Sequence, residues 1–222
     1  MAEGTVFLFD VDNTLLDNDA VAADLREHLT EQFGGERQQR YWDEFEQLRA
    51  ELGYADYLGA LQRIRLAYPH DTHLLMVSDW LIDYPFQQRL YPRALDVVER
   101  TRAHGRPVIL SDGDVVFQPR KIRRSGLWDA FHGDVLVYIH KDQELEDVER
   151  RYPAERYALV DDKVRILAAV KEVWGDRVRT IFPRQGHYAQ DAELVAGYPA
   201  PDMTVERIGD LLDLDPQRSS RT

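Results

Sequence analysis

Residues 6–14, with the sequence VFLFDVDNT, place two carboxylates directly after a short apolar run. The run is typical of a buried β-strand, and Asp10 and Asp12 follow it two positions apart. In an extended chain this spacing puts both side chains on one side, where one carboxylate can attack and the other can donate a proton. Carboxylates this close repel each other, so a divalent cation is expected beside them. An acidic turn that only caps a strand is the alternative interpretation of this stretch taken alone.

The composition excludes several kinds of functional site. The chain has 222 residues, 28 Lys and Arg against 40 Asp and Glu, a formal net charge of −12, and no cysteine. The lack of cysteine excludes disulfides, thiolate metal sites and cysteine nucleophiles. The acidic excess disfavours binding to nucleic acid or to an anionic membrane. Because no basic and apolar leader begins the sequence, the protein is expected to act in the cytoplasm.

Short apolar runs alternate with helical patterns along most of the chain. The runs are mostly continuous, which is typical of parallel strands covered on both faces. They fall at residues 5–9, 107–110, 135–139, 157–160 and 178–182. Helical patterns, such as the one at residues 94–103, separate the later strands. This order predicts an α/β fold with a doubly wound, Rossmann-like parallel sheet.

One region breaks this alternation. Residues 17–85 contain no strand signal and instead show four amphipathic helical patterns separated by glycine or proline. We expect an all-helical cap at 17–85, inserted into a catalytic core made of residues 1–16 and 86–222. The first strand of a doubly wound sheet ends at the active-site crevice, so an insertion there would lie over the site as a lid. The alternative is that these helices only thicken the core.

Other polar residues also close predicted strands. Ser111 ends the run 107–110, and its hydroxyl, together with the next backbone N–H, can hold a phosphoryl oxygen. That N–H belongs to Asp112, whose side chain is expected to point elsewhere because a carboxylate facing phosphate is unfavourable. Asp114 is expected to cap a helix.

The stretch FLFDVDNTLLD, residues 7–17, resembles the first motif of the haloacid dehalogenase-like superfamily, an apolar strand followed by DxDx[TV]. The family's three later motifs have counterparts here in the same order: a strand-end hydroxyl at Ser111, a lysine, and the strand-end pair at 161–162. The family places its lysine after a strand and shortly before the acidic pair, which matches Lys141. Lys121, in a basic helical stretch, is expected to be a solvated surface charge.

The resemblance implies a doubly wound core with a helical C1-type cap, and a hydrolase that cleaves a small phosphate monoester. Asp10 would attack phosphorus and form an aspartyl-phosphate. Asp12 would protonate the leaving group and then activate water. Ser111, the amide of Asp112 and Lys141 would bind the phosphoryl group. The expected partner is a small phosphorylated metabolite.

The resemblance also implies Mg²⁺ as the cofactor. The ion would be held by Asp10, the backbone carbonyl of Asp12, and Asp161 or Asp162, with Asp162 expected to be the closer ligand. Many family members carry a further acid four or five residues later, but residues 166–167 are apolar here. This departure puts the metal affinity in question.

Several alternatives stay open. A phosphotransferase or mutase would differ only in how well the cap excludes water. A 2-haloacid dehalogenase would use the same nucleophile, but Asp12 argues against it, since a departing halide needs no proton. A non-catalytic protein that binds a phosphate ligand would not need the repelling pair of carboxylates. Arg184 and His187 are expected to be ordinary residues of a surface loop, and neither the substrate nor the oligomeric state follows from the sequence.

Overall fold

A computed structural model describes residues 4–213, and six parallel strands form its single sheet. The strand order is β3-β2-β1-β4-β5-β6, which confirms the predicted α/β class. The strands are β1 (Thr5–Phe9), β2 (Arg106–Asp112), β3 (Val135–Tyr138), β4 (Arg156–Val160), β5 (Val178–Pro183) and β6 (Met203–Val205). All five predicted strands are present, whereas the short edge strand β6 was not predicted.

Helices connect the strands and cover both faces of the sheet. They are α1 (Asn18–Phe33), α2 (Gly35–Leu52), α3 (Tyr57–Ala67), α4 (His73–Asp83), α5 (Ala94–Arg102), α6 (Phe117–Arg124), α7 (Leu127–Ala130), α8 (Leu145–Arg151), α9 (Val164–Trp174), α10 (Gly186–Gln190) and α11 (Ala192–Ala196). Short 3₁₀ turns lie at Phe86–Arg89, Lys141–Gln143, Gly175–Arg177 and Ile208–Leu212. None of these helices is long and apolar enough to cross a membrane, over the part of the chain that is described.

The central position of β1 decides where the functional side chains meet. Phe9, its last residue, is paired with Ile109 of β2 and with Val160 of β4. The ladder continues for one more step, because the Asp10 N–H donates to the Val160 carbonyl at 2.9 Å. The carboxyl ends of β2, β1 and β4 therefore lie side by side at one edge of the sheet.

The segment between β1 and β2 is helical, as the amphipathic patterns predict. Helix α1 buries Val21, Leu25, Leu29 and Phe33, the four residues of the predicted stripe. Leu52, predicted on the buried stripe of α2, is instead 36% exposed at the end of that helix. The buried stripes of α1–α4 join the apolar residues on one face of the sheet in a single cluster. The movement of these helices as a lid stays a prediction. The division of the chain into a cap and a core also stays a prediction.

The loop after β1 is held by a close approach from the far end of the chain. Asn13 has a positive φ of 59°, and Gly186, at the start of α10, packs directly against it. A Cβ on Gly186 would lie 2.5 Å from the Asn13 Cβ, and Gly186 has a φ of +70°. Only glycine meets both conditions without strain.

We therefore expect Gly186→Ala to destabilise the protein by on the order of 2–4 kcal/mol, from left-handed strain together with the clash. The matched control is Gly126→Ala, because Gly126 has a φ of +83° and open space around its Cβ position. This control should lose only about 1–2 kcal/mol. Urea unfolding of both variants measures the difference, and equal losses would contradict the packing argument.

Candidate active site

Asp10 lies at the carboxyl end of β1 and is only 4% exposed. Its Oδ2 accepts a long hydrogen bond of 3.5 Å from the Thr14 hydroxyl. The backbone N–H of Asp162 donates to that same hydroxyl oxygen at 3.1 Å, which ties the loop after β1 to the end of β4. The loop thus brings Asp10 next to the acidic pair, as the order of motifs predicts.

Lys141 is the buried cation of the site and is 1% exposed. Its Nζ donates to Asp10 Oδ1 at 2.5 Å and lies 2.7 Å from Asp161 Oδ2, the latter an ion pair without hydrogen-bond geometry. Its backbone N–H donates to Asp112 Oδ1 at 2.7 Å, so the Asp112 carboxylate holds the lysine rather than the centre of the site. Burial alone would lower the pKa of Lys141, but the charges of Asp10 and Asp161 outweigh burial and raise it.

The acidic pair at the end of β4 is buried, which disfavours its ionised form, whereas the charges of Lys141 and Lys163 favour that form. Burial raises the pKa of Asp161 to about 6, against the opposing effect of Lys141. Burial, and then the charge of Asp161, raise the pKa of Asp162 well above its usual range. Neither carboxylate oxygen of Asp162 has a hydrogen-bond partner within residues 4–213. Burial of a carboxyl group without a partner is unfavourable, so a cation or another polar group is expected to bind there.

Three of the predicted metal ligands form one group. Ligand oxygens of Asp10, Asp161 and Asp162 all lie within 4.8 Å of one another, and all three residues are buried. The side chain of Asp12 is not a member of this group. Its predicted contribution to a metal was through the backbone carbonyl, and that prediction stays open.

Asp12 instead forms an ion pair with Lys121, which corrects one prediction. Lys121 is 1% exposed, not solvated, and its Nζ donates to Asp12 Oδ1 and Oδ2 at 2.8 and 2.9 Å. It also donates to Asn18 Oδ1 at 3.0 Å, at the start of α1. Lys121 follows the buried Phe117 by one helical turn of α6, and this position on the buried face was the signal that sequence reasoning missed.

Ser111 is buried near this ion pair, at the end of β2. Its Oγ accepts a hydrogen bond of 2.9 Å from Gln118 Nε2, which also reaches Asp12 Oδ2 at 3.4 Å. Gln118 is a further site residue that sequence reasoning missed. Asp114 lies two residues before the N-cap of α6, which is Val116, and its Oδ1 accepts from the N–H groups of Val116 and Phe117 at 2.8 and 2.6 Å.

The loop after β5 contacts the site more closely than a surface loop would. Gln185 Nε2 donates to the carbonyls of Asn13 and Thr14 at 3.3 and 3.0 Å. His187 lines the cleft, and its Nδ1 lies 2.7 Å from Asp19 Oδ1 on α1. Arg184 fits the prediction of a surface position, with an exposed ion pair to Glu206 at 3.3 Å.

A cleft of about 740 Å³ opens above these residues. The sheet side contributes Asp12, Gln118, Lys121 and Asp162 to its lining, and the helical segment contributes aromatic and charged residues from α1, α2 and α3. The helices therefore border the site rather than the opposite edge of the sheet. The site therefore has a buried carboxylate beside a lysine and an acidic pair. It lies at the carboxyl edge of a parallel sheet, under helices. This arrangement is typical of a hydrolase active site.

Comparison with known proteins agrees with this class. A sequence model of haloacid dehalogenase-like hydrolases matches residues 5–174. A haloacid dehalogenase-like hydrolase from Burkholderia xenovorans, whose crystal structure is known, is 60% identical, with a TM-score of 0.92 over 97% of this chain and 98% of that one. The chain therefore belongs to the haloacid dehalogenase-like hydrolases. No match was found among curated proteins.

More distant structures share the fold. L-2-haloacid dehalogenase from Xanthobacter autotrophicus is 22% identical, with a TM-score of 0.61 over 94% of this chain and 97% of that chain. A magnesium-bound hydrolase of the same superfamily from Bacillus subtilis is 17% identical, with a TM-score of 0.60 over 95% and 98% of the two chains. At these identities the likeness concerns the fold alone.

The raised pKa values predict how stability depends on pH in the absence of divalent cations. Asp161 and Asp162 keep protons in the folded protein at a pH where unfolded carboxyls, with pKa near 3.9, have lost them. The contribution of Asp161 to the free energy of unfolding is therefore full below about pH 4 and is lost as the pH rises through about 6, and that of Asp162 is lost as the pH rises through its own raised pKa. Asp162→Asn should remove much of the loss between about pH 4 and 7.5, because an amide carries no charge that must be buried as the pH rises.

Urea unfolding across this pH range in a chelator measures the effect. The control is Asp79→Asn, an exposed carboxylate on α4 away from the cleft. The control should follow the wild-type curve. Parallel curves for Asp162→Asn and the wild type would contradict the burial of an uncompensated charge.

Proposed function

We propose that this protein is a Mg²⁺-dependent hydrolase that cleaves a small phosphate monoester through a covalent intermediate on Asp10. One observation carries the proposal: Asp10 is buried against Lys141, beside an acidic residue, Asp162, whose two oxygens have no partner in the described chain. A nucleophilic carboxylate, a cation for the phosphoryl group and ligands for a metal are the three parts that such a reaction requires.

The donor set fits Mg²⁺, which prefers oxygen ligands and is commonly bound by one or two carboxylates together with water. Asp10 and Asp162 would hold it, with Asp161 as a further ligand or as the partner that fixes Lys141. Three buried carboxylates lie there against the charges of Lys141 and the neighbouring Lys163, which leaves an excess of one negative charge if all are ionised. When bound, the ion would neutralise charge on the phosphoryl oxygens and on the nucleophile.

The protein's own residues supply the remaining steps. The Asp10 carboxylate attacks phosphorus, a P–O bond forms, and the bond to the leaving oxygen breaks as the Asp12 carboxyl group gives that oxygen a proton. Lys141 offsets the charge of the phosphoryl oxygens, and Ser111 with the Asp112 amide would hold one of them. Water then attacks phosphorus and frees Asp10. Lys121 donates to both oxygens of Asp12 and so positions the carboxyl group that gives a proton to the leaving oxygen and then takes one from that water.

Haloacid dehalogenation is the second candidate, and the ion pair of Asp12 with Lys121 is compatible with it. A departing halide needs no proton, so an Asp12 fixed by Lys121 would not hinder the reaction. The likeness in fold to L-2-haloacid dehalogenase from Xanthobacter autotrophicus is compatible with it. We prefer the phosphatase, because the carboxylates of Asp12 and Asp162 would repel an anionic haloacid if no metal were bound.

The direct test compares release of phosphate from 4-nitrophenyl phosphate with release of chloride from 2-chloropropionate, with and without Mg²⁺. We expect phosphate release that depends on Mg²⁺, and a loss of at least about 10³-fold in kcat for Asp10→Asn because its nucleophile is gone. Asp162→Asn should need more Mg²⁺ for half-maximal rate. Asp79→Asn is the matched control and should behave as the wild type. Chloride release without phosphate release would select the dehalogenase instead.

A leaving-group series tests the role of Asp12. Asp12→Asn should slow alkyl phosphates by about 10²-fold or more, because an alkoxide leaves only with a proton. Aryl phosphates need less protonation and should lose less. The comparison is a plot of the first-order rate constant for a single turnover against the pKa of the leaving group. Equal losses along the series would remove Asp12 from the role of general acid.

A further inference from the structure

Arg26, on α1, lies at the roof of the cleft and is held in place by two buried side chains. Its guanidinium carbon lies 4.6 Å from the centroid of the Trp42 ring. In the amide orientation that satisfies its neighbours, the Gln38 side-chain oxygen accepts from Arg26 Nη1 at 3.0 Å and from Trp42 Nε1 at 2.9 Å. Gln38 and Trp42 are each only 8% exposed. The guanidinium is thus oriented in advance, which lowers the entropic cost of binding a ligand.

Arg26 also differs from the other arginines of the cleft in its electrostatic surroundings. Arg49 forms an ion pair with Glu46 at 3.1 Å, and Arg165 forms one with Asp142 at 3.1 Å. Within residues 4–213, no carboxylate lies within 4.0 Å of the Arg26 guanidinium. A fixed guanidinium without a counter-ion, at the wall of a cleft, is a site for an anionic group of a ligand.

The position of Arg26 indicates how far this group lies from the reacting phosphate. Asn18, at the other end of the same stretch of α1, contacts Lys121 at the base of the cleft. Arg26 follows Asn18 by eight residues, about 12 Å along the helix axis. Between them Ala22 and Ala23 line the cleft with small side chains. The intervening space is therefore open to an apolar body.

Aromatic residues form the side of the cleft that would contact the apolar part of a ligand. Trp42 and Phe45 line it from α2, Tyr57 lines it from α3, and neighbouring rings along this row lie 5.3 and 4.7 Å apart. These rings are packed against one another and are mostly buried, so the small part of each that reaches the cleft forms a fixed apolar wall.

From these observations we propose that the substrate is a phosphate monoester with a carboxylate at the far end of an apolar body, and that Arg26 binds this carboxylate. This inference rests on the proposed phosphatase function and names the class of its substrate. A carboxylate fits better than a second phosphate, because one guanidinium charge balances one negative charge. A phosphate dianion would leave negative charge unbalanced in a cleft that Asp19 and Glu46 also line.

The test uses ω-carboxyalkyl phosphates of increasing chain length, each paired with its methyl ester. The measured quantity is kcat/KM for the acid divided by kcat/KM for the ester. For the wild type we expect a ratio of about ten or more at the best chain length, since a charge-assisted hydrogen bond is lost in the ester. In Arg26→Gln the ratio should fall to about one, while hydrolysis of the methyl ester stays near the wild-type rate.

Two controls separate this role from a general effect of charge or packing. Arg65→Gln removes the same charge from an exposed position on α3 outside the cleft, and should keep the wild-type ratio. Arg26→Lys keeps the charge and should retain part of the preference for the acid. Unchanged ester hydrolysis in Arg26→Gln shows that the roof of the cleft is intact.

Each outcome decides between the claims. A wild-type ratio near one, or a ratio that survives in Arg26→Gln, overturns the assignment of Arg26. A stronger preference for an alkane bisphosphate than for the carboxyalkyl phosphate overturns the choice of a carboxylate. Hydrolysis of neither the acids nor the esters overturns the inferred substrate class if 4-nitrophenyl phosphate is still hydrolysed, and overturns the proposed function as well if it is not.

Discussion

The ion pair between Lys141 and Asp10 is the interaction on which the site depends. Both groups are almost completely buried, and the ammonium also faces Asp161. A buried charge is tolerated only when an opposite charge and hydrogen bonds compensate it. Lys141 compensates Asp10 and part of the acidic pair, whereas Asp162 is left without a partner in the described chain. The remaining negative charge is the physical reason to expect a bound cation.

The sheet explains why these groups can meet at all. Asp10, Lys141 and Asp162 are far apart in sequence, but each follows a strand of one parallel sheet, and parallel strands end at the same edge. The ion pair of Asp12 with Lys121 forms a second charged pair beside the first, and Asn18 connects it to α1. The base of the cleft and its helical roof are thus linked by direct hydrogen bonds.

Much of this arrangement could be predicted from the sequence, for physical reasons that differ between residues. Asp10, Ser111 and Asp162 each close an apolar run, so a strand-end pattern locates them. Lys121 could not be located in this way, because a lysine among other basic residues looks solvated unless the buried face of its helix is known. Gln185 offers no local signal, since it meets the Asn13 carbonyl across 172 positions of the chain.

The central claim is that Asp10 attacks phosphorus and that water later attacks the same phosphorus atom. A single turnover in H₂¹⁸O, with enzyme in excess over a phosphate monoester, tests it most directly. The account predicts a phosphoryl group on the peptide that contains Asp10 when the reaction is stopped early with acid, and, at its end, ¹⁸O in the released phosphate and none in that peptide. Label in the Asp10 carboxylate would contradict it, because water would then have attacked the carboxyl carbon of an ester intermediate, as in a dehalogenase. Label in the released alcohol would contradict it as well.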